Sequence, residues 1–189
     1  MRKLATLVIL AACALLAGAR ANAPLNPEPA PRPPTSLCRA GEQVLFSCKV
    51  ADGPKFVSVC GSNRLDAKRG YVQYRFGRVG ALELEYPQGL EETQRAFRYA
   101  HYFRAQVDRT ELSFERGGYK YALYDYYEGD VRPVIAEAGV RVTRPGGEGE
   151  AVEIKCRGRA TSRLGLLSDV VPVEEGGELG PGGEGGRHE

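Results

Sequence analysis

The chain has 189 residues, and its 26 lysine and arginine residues nearly balance its 24 aspartate and glutamate residues, which gives a formal net charge of +2. So small a charge argues against a strongly polyanion-binding protein. With 42% apolar residues the composition is that of one globular domain, and the length leaves no room for a two-domain enzyme once the ends are set apart.

Residues 1–23 have the features of a secretory signal peptide. Arg2 and Lys3 precede an apolar run over residues 4–16, and small residues follow, with cleavage expected after Ala21 or Ala23. The run is too short to span a bilayer, which takes about 20 apolar residues. The signal therefore predicts an exported protein, either periplasmic or secreted.

An alternative processing site lies inside the same run. Residues 10–13 read LAAC, which is similar to a bacterial lipobox and would lead to acylation of Cys13. The alternative location is therefore that of a lipoprotein anchored through Cys13, and only in that case do we expect a membrane partner.

The two flanks of the folded body differ from it in composition. Six of residues 24–34 are proline, so residues 24–36 are expected to be an extended linker. Seven of the last fourteen residues are glycine, so residues 174–189 are expected to be a disordered tail, in which His188 is solvated and binds no metal. The folded domain is expected over residues 37–173.

Within that domain, apolar and polar residues alternate between turn residues, which is typical of half-buried antiparallel strands. Three hairpins are expected, and Gly117-Gly118 is expected to connect two further strands, 110–115 and 119–127, which follow a strand at 99–107. Helical spacing is confined to a turn at 90–95 and to residues 161–169. The pattern predicts an all-β fold, an antiparallel sandwich or partly closed barrel of about 8–10 strands with at most one short helix. The hairpins pair residues 44–50 with 56–60, 71–76 with 81–86, and 140–143 with 152–156.

Four cysteines remain after the signal peptide, and an even number in an exported chain indicates two disulfides. Three connectivities are possible. Alternation turns Cys48 inward with Val44, Phe46 and Val50, and it turns Cys156 inward with Val152 and Ile154. Cys60 then faces outward, because Val57 and Val59 face inward. We therefore favour the pairs Cys48 with Cys156 and Cys38 with Cys60.

Metal and cofactor sites are not indicated by the sequence. The cysteine spacings lack any paired C-x2-C, and no histidine lies near them, which disfavours the alternative of a zinc site. The glycine-rich stretches lack the strand, helix and lysine of a phosphate loop. We expect no cofactor.

Several short runs carry a resemblance to known proteins. Cys38-x9-Cys48 with GEQVLFSC, then KFVSVC, GYVQYRFG and LELEYP, resembles a family of small exported proteins from Gram-negative bacteria that lack an assigned activity. This resemblance covers residues 38–87 and implies a bacterial envelope setting. A weaker resemblance, at residues 117–121, is to the periplasmic lysozyme inhibitors, small disulfide-bearing β-proteins that push a loop into the enzyme's cleft. It implies a possible inhibitory loop at Gly117, Gly118 and Tyr119.

Catalytic residues are not indicated. His101 shares its strand face with Tyr99 and Phe103, which favours a core or interface histidine over a general base. No G-x-S-x-G elbow occurs, and no cysteine is left free for nucleophilic attack. Glu83 and Glu85 alternate along a strand, which indicates a solvated face. We expect a protein that is not an enzyme.

Tyrosine and arginine are dense on successive strands. Because Leu123 marks the core side of its strand, Tyr124 and Tyr126 are expected to be an exposed pair, framed by residues of a neighbouring strand, namely Arg98, Tyr102 and Arg104. Tyr and Arg are favoured at protein interfaces, and aromatic faces also stack on sugars. The alternative is ordinary β-propensity.

These features predict an exported binding protein of the envelope without its own chemistry, whose partner is an envelope protein or a cell-wall polymer. Nucleic acid is not expected as a partner. The alternative is a proteinaceous inhibitor of a cell-wall hydrolase, and the third function is a small hydrolase.

Overall fold

A computed structural model of the chain describes residues 35–144 and 151–174. The expected signal peptide with Cys13, the expected linker through Pro34, the expected turn at residues 145–147 and the expected tail from Glu175, with His188, lie outside the described residues. Among the described residues, no helix is long and apolar enough to cross a membrane.

Ten strands of the described residues form two antiparallel sheets of five, which confirms the all-β fold, and the sheets do not close into a barrel. The first sheet has the order β10-β1-β2-β3-β4, with β1 Gln43–Lys49, β2 Phe56–Gly61, β3 Val72–Arg78, β4 Ala81–Tyr86 and β10 Thr161–Ser162. The second has the order β5-β6-β7-β8-β9, with β5 Arg98–Arg104, β6 Val107–Arg116, β7 Tyr119–Glu128, β8 Ile135–Thr143 and β9 Val152–Lys155. All three expected hairpins and the Gly117-Gly118 connection are present.

The core lies between the two sheets. Tyr74 and Tyr86 from the first sheet meet Phe114 of the second, with ring centroids 5.0 and 4.6 Å apart, and Phe114 stacks on Tyr121 at 4.8 Å. Leu123 is 1% exposed in the same core, as its alternation predicts. Aromatic pairs of this kind contribute stability beyond that of the area they bury. These contacts therefore hold the two sheets face to face.

One seam joins the two sheets covalently and by hydrogen bonds. Val50, just after β1, pairs with Cys156, just after β9, and the chain then runs from the second sheet to the first, where β10 pairs with β1. The Cys48–Cys156 disulfide crosses at this seam, and the Cys38–Cys60 disulfide fastens the N-terminal segment to the outer face of β2. Both pairs are those that the alternation favours.

A bulge in β1 overturns one part of the alternation argument. The register of β1 against β2 shifts between Val44 and Phe46, so that Leu45 is the extra residue. A bulge places two residues of one strand opposite one of the other and reverses the facing of what precedes it. Val44 therefore pairs with Cys60 on the outer face, whereas Phe46 and Cys48 keep their expected inward direction.

Arg75 lies fully buried on the outer face of the first sheet, under the segment that Cys38 anchors. Its five N–H donors all have acceptors: Nε donates to Glu85, Nη1 to the Leu37 carbonyl and to Glu42 at 2.5 Å, and Nη2 to Glu42 at 2.8 Å and Gln73 at 2.7 Å. The expectation of a solvated face at Glu85 was wrong, because this carboxylate is half-buried against Arg75.

The helical expectations hold only in part. The described residues contain two 3-10 turns, Thr93–Ala96 and Leu164–Leu167. The first lies at the expected turn. The segment 161–169 is not a regular helix, since it begins as β10 and becomes a 3-10 turn whose Leu164 and Leu167 are buried in the core.

Glu174, which was expected in the tail, is bonded to the domain. The backbone of Glu174 donates to the Tyr99 carbonyl at 2.8 Å, and its carboxylate accepts from Lys120 and Ser113. Glu174 therefore belongs to the domain and not to the tail.

Candidate functional site

A cavity of about 850 Å³ lies between the inner face of the second sheet and residues 158–165. It occupies the part of that face that continues beyond the core. Ligand pockets commonly have volumes of roughly 300–1,000 Å³, so the cavity has the size of a ligand site.

The register of the second sheet explains why the cavity forms there. Residues on one face of neighbouring strands form rows, because side chains alternate with a period of two. The apolar core row consists of Tyr99, Leu112, Leu123 and Val140. The next two rows on the same face are largely polar, with His101, Thr110, Asp125 and Ala138 in one and Phe103, Asp108, Tyr127 and Ala136 in the other. Polar side chains on a core-facing surface keep the sandwich open to water at this end.

The polar groups of this wall differ in how they are satisfied. His101 Nε2 lies 2.9 Å from Asp108 Oδ1, and their side chains are 39% and 51% exposed. Burial raises the pKa of the Tyr99 hydroxyl, and a hydrogen bond with Thr110 lowers it in part. The half-buried Asp125 carboxylate has no hydrogen bond or ion pair with any residue that the structure describes.

The opposite wall is built by the chain that crosses between the sheets. Three contacts hold this segment in place. Ser162 pairs with Phe46, the Arg163 amide donates to the Leu45 carbonyl, and Leu164 is buried in the core. Arg159 and Arg163 line the cavity, and both residues are exposed. Neither guanidinium forms an ion pair within residues 35–144 and 151–174.

Two aromatic side chains of the outermost row are exposed. Phe103 is 72% exposed and Tyr127 is 48% exposed. The Phe103 ring centroid lies 6.3 Å from that of His101, and Tyr127 lines the cavity itself. Exposed aromatic rings beside unpaired polar groups are typical of a surface that binds a ligand.

His101 is therefore not a core histidine, and that part of the expectation was wrong. His101 does share its strand face with Tyr99, as the alternation predicts, but this face leaves the core after Tyr99. Among the described residues, no hydroxyl hydrogen-bonds to His101, so the His101–Asp108 pair has no nucleophile in contact with it.

The proposed tyrosine face does not exist as an exposed surface. Tyr124 and Tyr126 do point away from the core, but they are only 1% and 2% exposed. The Arg141 guanidinium lies 5.3 Å from the Tyr124 ring centroid, and that of Arg109 lies 6.0 Å from Tyr126. The Tyr126 hydroxyl donates to Glu111. Long charged side chains thus bury both rings on a face that alternation alone marks as solvated.

Gly139 makes room for one of these rings. A Cβ at this position would lie 2.8 Å from the Tyr124 hydroxyl and 2.6 Å from the Ile154 carbonyl. The glycine therefore allows the tyrosine to lie across the neighbouring strand.

The three framing residues occupy the outer face of β5. Tyr102 is 45% exposed, and Arg109 separates it from Tyr126 in the same row. Arg104 forms an ion pair with Asp130 at 2.6 Å, and Arg98 donates to backbone carbonyls next to it. The structure therefore does not join these residues and the two tyrosines into one accessible surface.

The possible inhibitory loop is the two-residue turn between β6 and β7. Gly117 and Gly118 have φ of 59° and 77°, a conformation that favours glycine, and Tyr119 beside them is 39% exposed. Residues 111–116 of β6, which span roughly 20 Å, separate this turn from Thr110 in the wall of the cavity. The two surfaces can therefore be changed independently.

One group of candidate metal ligands also occurs, formed by Cys38, Glu42 and Cys60. The two cysteines are bonded to each other, and the carboxylate is engaged by Arg75. A metal needs deprotonated thiolates and free carboxylate oxygens, so this group does not fit one.

Comparison of the chain with protein-family models, with curated proteins and with solved structures finds no match. The two resemblances drawn from the sequence therefore stay predictions. The two disulfides fit an oxidising compartment outside the cytoplasm.

Proposed function

We propose that the protein is an exported binding protein of the bacterial envelope, and that its cavity binds part of a cell-wall polymer. One observation carries this proposal: two rows of polar and aromatic residues continue the core-facing series of the second sheet into a cavity of about 850 Å³. Polar side chains at core-facing positions lower the stability of the fold, and their presence there favours a role in binding a ligand.

The surroundings of the cavity support the same proposal. The core row anchors one wall, and the seam with its Cys48–Cys156 disulfide anchors the other. A site whose walls are fixed before binding loses less entropy when a ligand is bound.

The chain offers a matched pair of variants to test the proposal. Tyr127 and Tyr119 lie on the same strand and the same face, with similar exposure, but at opposite ends of β7. We expect Tyr127→Ala to weaken co-sedimentation with purified peptidoglycan by roughly five- to tenfold. Tyr119→Ala should bind as the parent does. Equal binding by all three proteins, or no binding by the parent, would contradict the proposal.

Inhibition of a cell-wall hydrolase is the second candidate function. The exposed Tyr119 beside the Gly117-Gly118 turn favours it. The same two variants separate it from ligand binding, because an inhibitor should lose its effect on added lysozyme in Tyr119→Ala and keep it in Tyr127→Ala.

A small hydrolase is the third candidate, and the contact between His101 and Asp108 in the cavity favours it. Turnover of soluble peptidoglycan fragments by the parent, abolished in His101→Asn, would support this function. Binding without turnover would exclude it for these substrates.

A further inference from the structure

We infer that the cavity takes a short peptide with a free ammonium group and a free carboxylate, the carboxylate on Arg159 and Arg163 and the ammonium on Asp125 and Asp108. The inference rests on the proposed function and names the chemistry of the ligand. It follows from how charge is divided between the two walls.

The sheet wall is acidic. Asp125 and Asp108 face the cavity from adjacent strands. Asp108 is held by His101, whereas Asp125 has no partner among the described residues. A half-buried carboxylate without a partner is a site for a cation or a hydrogen-bond donor.

The opposite wall is basic. Arg159 and Arg163 lie four residues apart on the crossing segment, and neither guanidinium pairs with a carboxylate in the described part of the chain. Neither Asp125 nor Asp108 forms an ion pair with either arginine, so the two walls do not neutralise each other. Guanidinium groups match the planar geometry of a carboxylate and bind it through two parallel hydrogen bonds.

This division of charge selects among ligand classes. A simple anion on the arginines would face Asp125 and Asp108, and a simple cation on the acids would face the two arginines. A neutral sugar would displace water from the charged side chains of both walls without offering them a group of opposite charge. A ligand with both charges, at opposite ends, is attracted by each wall.

The size of the cavity sets the length of the peptide. An extended tripeptide spans about 10 Å at 3.3–3.6 Å per residue, which suits a cavity of about 850 Å³. Phe103 and Tyr127 at the rim offer apolar contact to its side chains. A free peptide carries these two charges at its termini, and a peptide of the cell wall carries them where an amino group and a carboxylate stay unlinked.

The experiment uses trialanine and its blocked forms as probes, with binding measured by calorimetry on the full exported chain. The probes are trialanine, N-acetyl-trialanine, trialanine amide and the doubly blocked peptide. We expect trialanine to bind and each single block to weaken binding at least tenfold, with a further loss for the double block. Raising the salt concentration should reduce these differences, because screening weakens charge pairs.

Variants assign each end to its wall. The double variant Arg159→Met with Arg163→Met should bind trialanine and trialanine amide equally well. In Asp125→Asn, the difference in affinity between trialanine and N-acetyl-trialanine should be smaller than in the parent. Arg116→Met and Glu115→Gln are the controls, since both side chains are exposed at the far end of β6. All of these variants replace exposed or half-buried groups, and each should melt within about two degrees of the parent.

Three outcomes decide the inference. If both blocks matter and the variants act at the matching ends, the inference stands, and tighter binding of soluble muropeptides than of trialanine assigns the source to the wall. If muropeptides bind but blocking either end changes nothing, the inference is overturned while the proposed function stands. If neither trialanine nor muropeptides bind, both are overturned.

Discussion

Two buried glutamates, one on the outer face of each sheet, respond to burial in opposite ways. Burial alone would raise the pKa of Glu42, but hydrogen bonds from Arg75, from the Arg39 backbone and from Tyr71 outweigh it and lower this pKa below its ordinary value. For Glu111 burial dominates, and the attraction of Arg141 does not prevent a raised pKa. The first carboxylate is stabilised as an anion, and the second is not.

Glu42→Gln is therefore expected to lower the free energy of unfolding at pH 7 by about 3 kcal/mol, because Arg75 loses a charged partner in a buried site. A lowered pKa gives stability that is present above the unfolded value near 4.3 and is lost as pH falls through the folded value. The variant should therefore lose less stability than the parent between pH 5 and pH 3. Denaturant titrations across this range measure both effects.

Glu111→Gln is the matched control for that experiment. Its raised pKa means that the anion is disfavoured in the folded state, so stability falls as pH rises from the unfolded toward the folded pKa. Removing this charge should leave stability at pH 7 no lower than in the parent. A loss as large as that of Glu42→Gln would mean that any change at a buried glutamate destabilises the fold.

The two buried tyrosines of β7 give opposite expectations for the same change. Burial raises the pKa of Tyr124 to about 12, and its hydroxyl has no hydrogen-bond partner among the described residues, whereas the Tyr126 hydroxyl donates to Glu111. Tyr124→Phe should raise the free energy of unfolding by roughly 1 kcal/mol, since it removes an unsatisfied buried group. Tyr126→Phe should lower it by roughly 1–3 kcal/mol. Thermal unfolding of both variants is the measurement, and losses of similar size would contradict the assigned contacts.

At the scale of strands, alternation was enough to predict the hairpins, the core side of β7 and the cysteine pairs. It failed where the register changes, as at Leu45, because a bulge reverses the facing of Val44 without any signal in the apolar pattern. It also failed for Tyr124, because alternation gives the direction of a side chain and not what covers it. The covering residues, such as Arg141, come from a neighbouring strand whose register depends on tertiary structure.

The cavity is not predicted from the sequence, although part of the pattern that indicates it is present in two strands. The series Tyr121, Leu123, Asp125 passes from core to polar residues on a single face of β7, and Leu112, Thr110, Asp108 does so on β6. Two adjacent strands that change in the same direction predict an open end of a sandwich. The arginines of the other wall could not have been placed, because their position depends on the chain crossing between the sheets.

The C-terminal segment adds a short strand-like element to the edge of β5. Tyr99 donates to the Pro172 carbonyl at 2.9 Å, and Glu174 returns a bond to Tyr99 and pairs with Lys120 at 2.5 Å. Ending the chain after Val171 should lower the free energy of unfolding by about 2 kcal/mol, through the loss of these bonds.

Ending the chain after Glu175 instead should leave the melting temperature within about a degree, because the removed residues are polar and rich in glycine. Paired melting curves test both expectations. Equal losses for the two truncations would show that the residues beyond Glu175 contribute to the cooperative unit.

At the scale of the whole molecule, the two disulfides close loops of very different length, with sequence separations of 108 and 22 residues. Chain entropy predicts a loss of roughly 5 kcal/mol when Cys48 and Cys156 are both changed to alanine, and roughly 3 kcal/mol for Cys38 and Cys60. The oxidised parent should show no reactive thiol. A larger loss for the shorter loop would mean that the burial of Arg75 under the N-terminal segment, and not loop entropy, determines how much the Cys38–Cys60 bond stabilises the fold.

The Cys38–Cys60 bond also determines how the domain carries mechanical load. Tension applied to the chain at Thr35 enters the fold at Cys38 and passes directly to β2, a central strand of the first sheet. The chain between these cysteines, which contains all of β1 and β2 as far as Cys60, forms a closed ring that the pull cannot extend. A pull from the N-terminal side therefore cannot peel β1 away from β2, and acts on the β1–β2 hairpin as one unit.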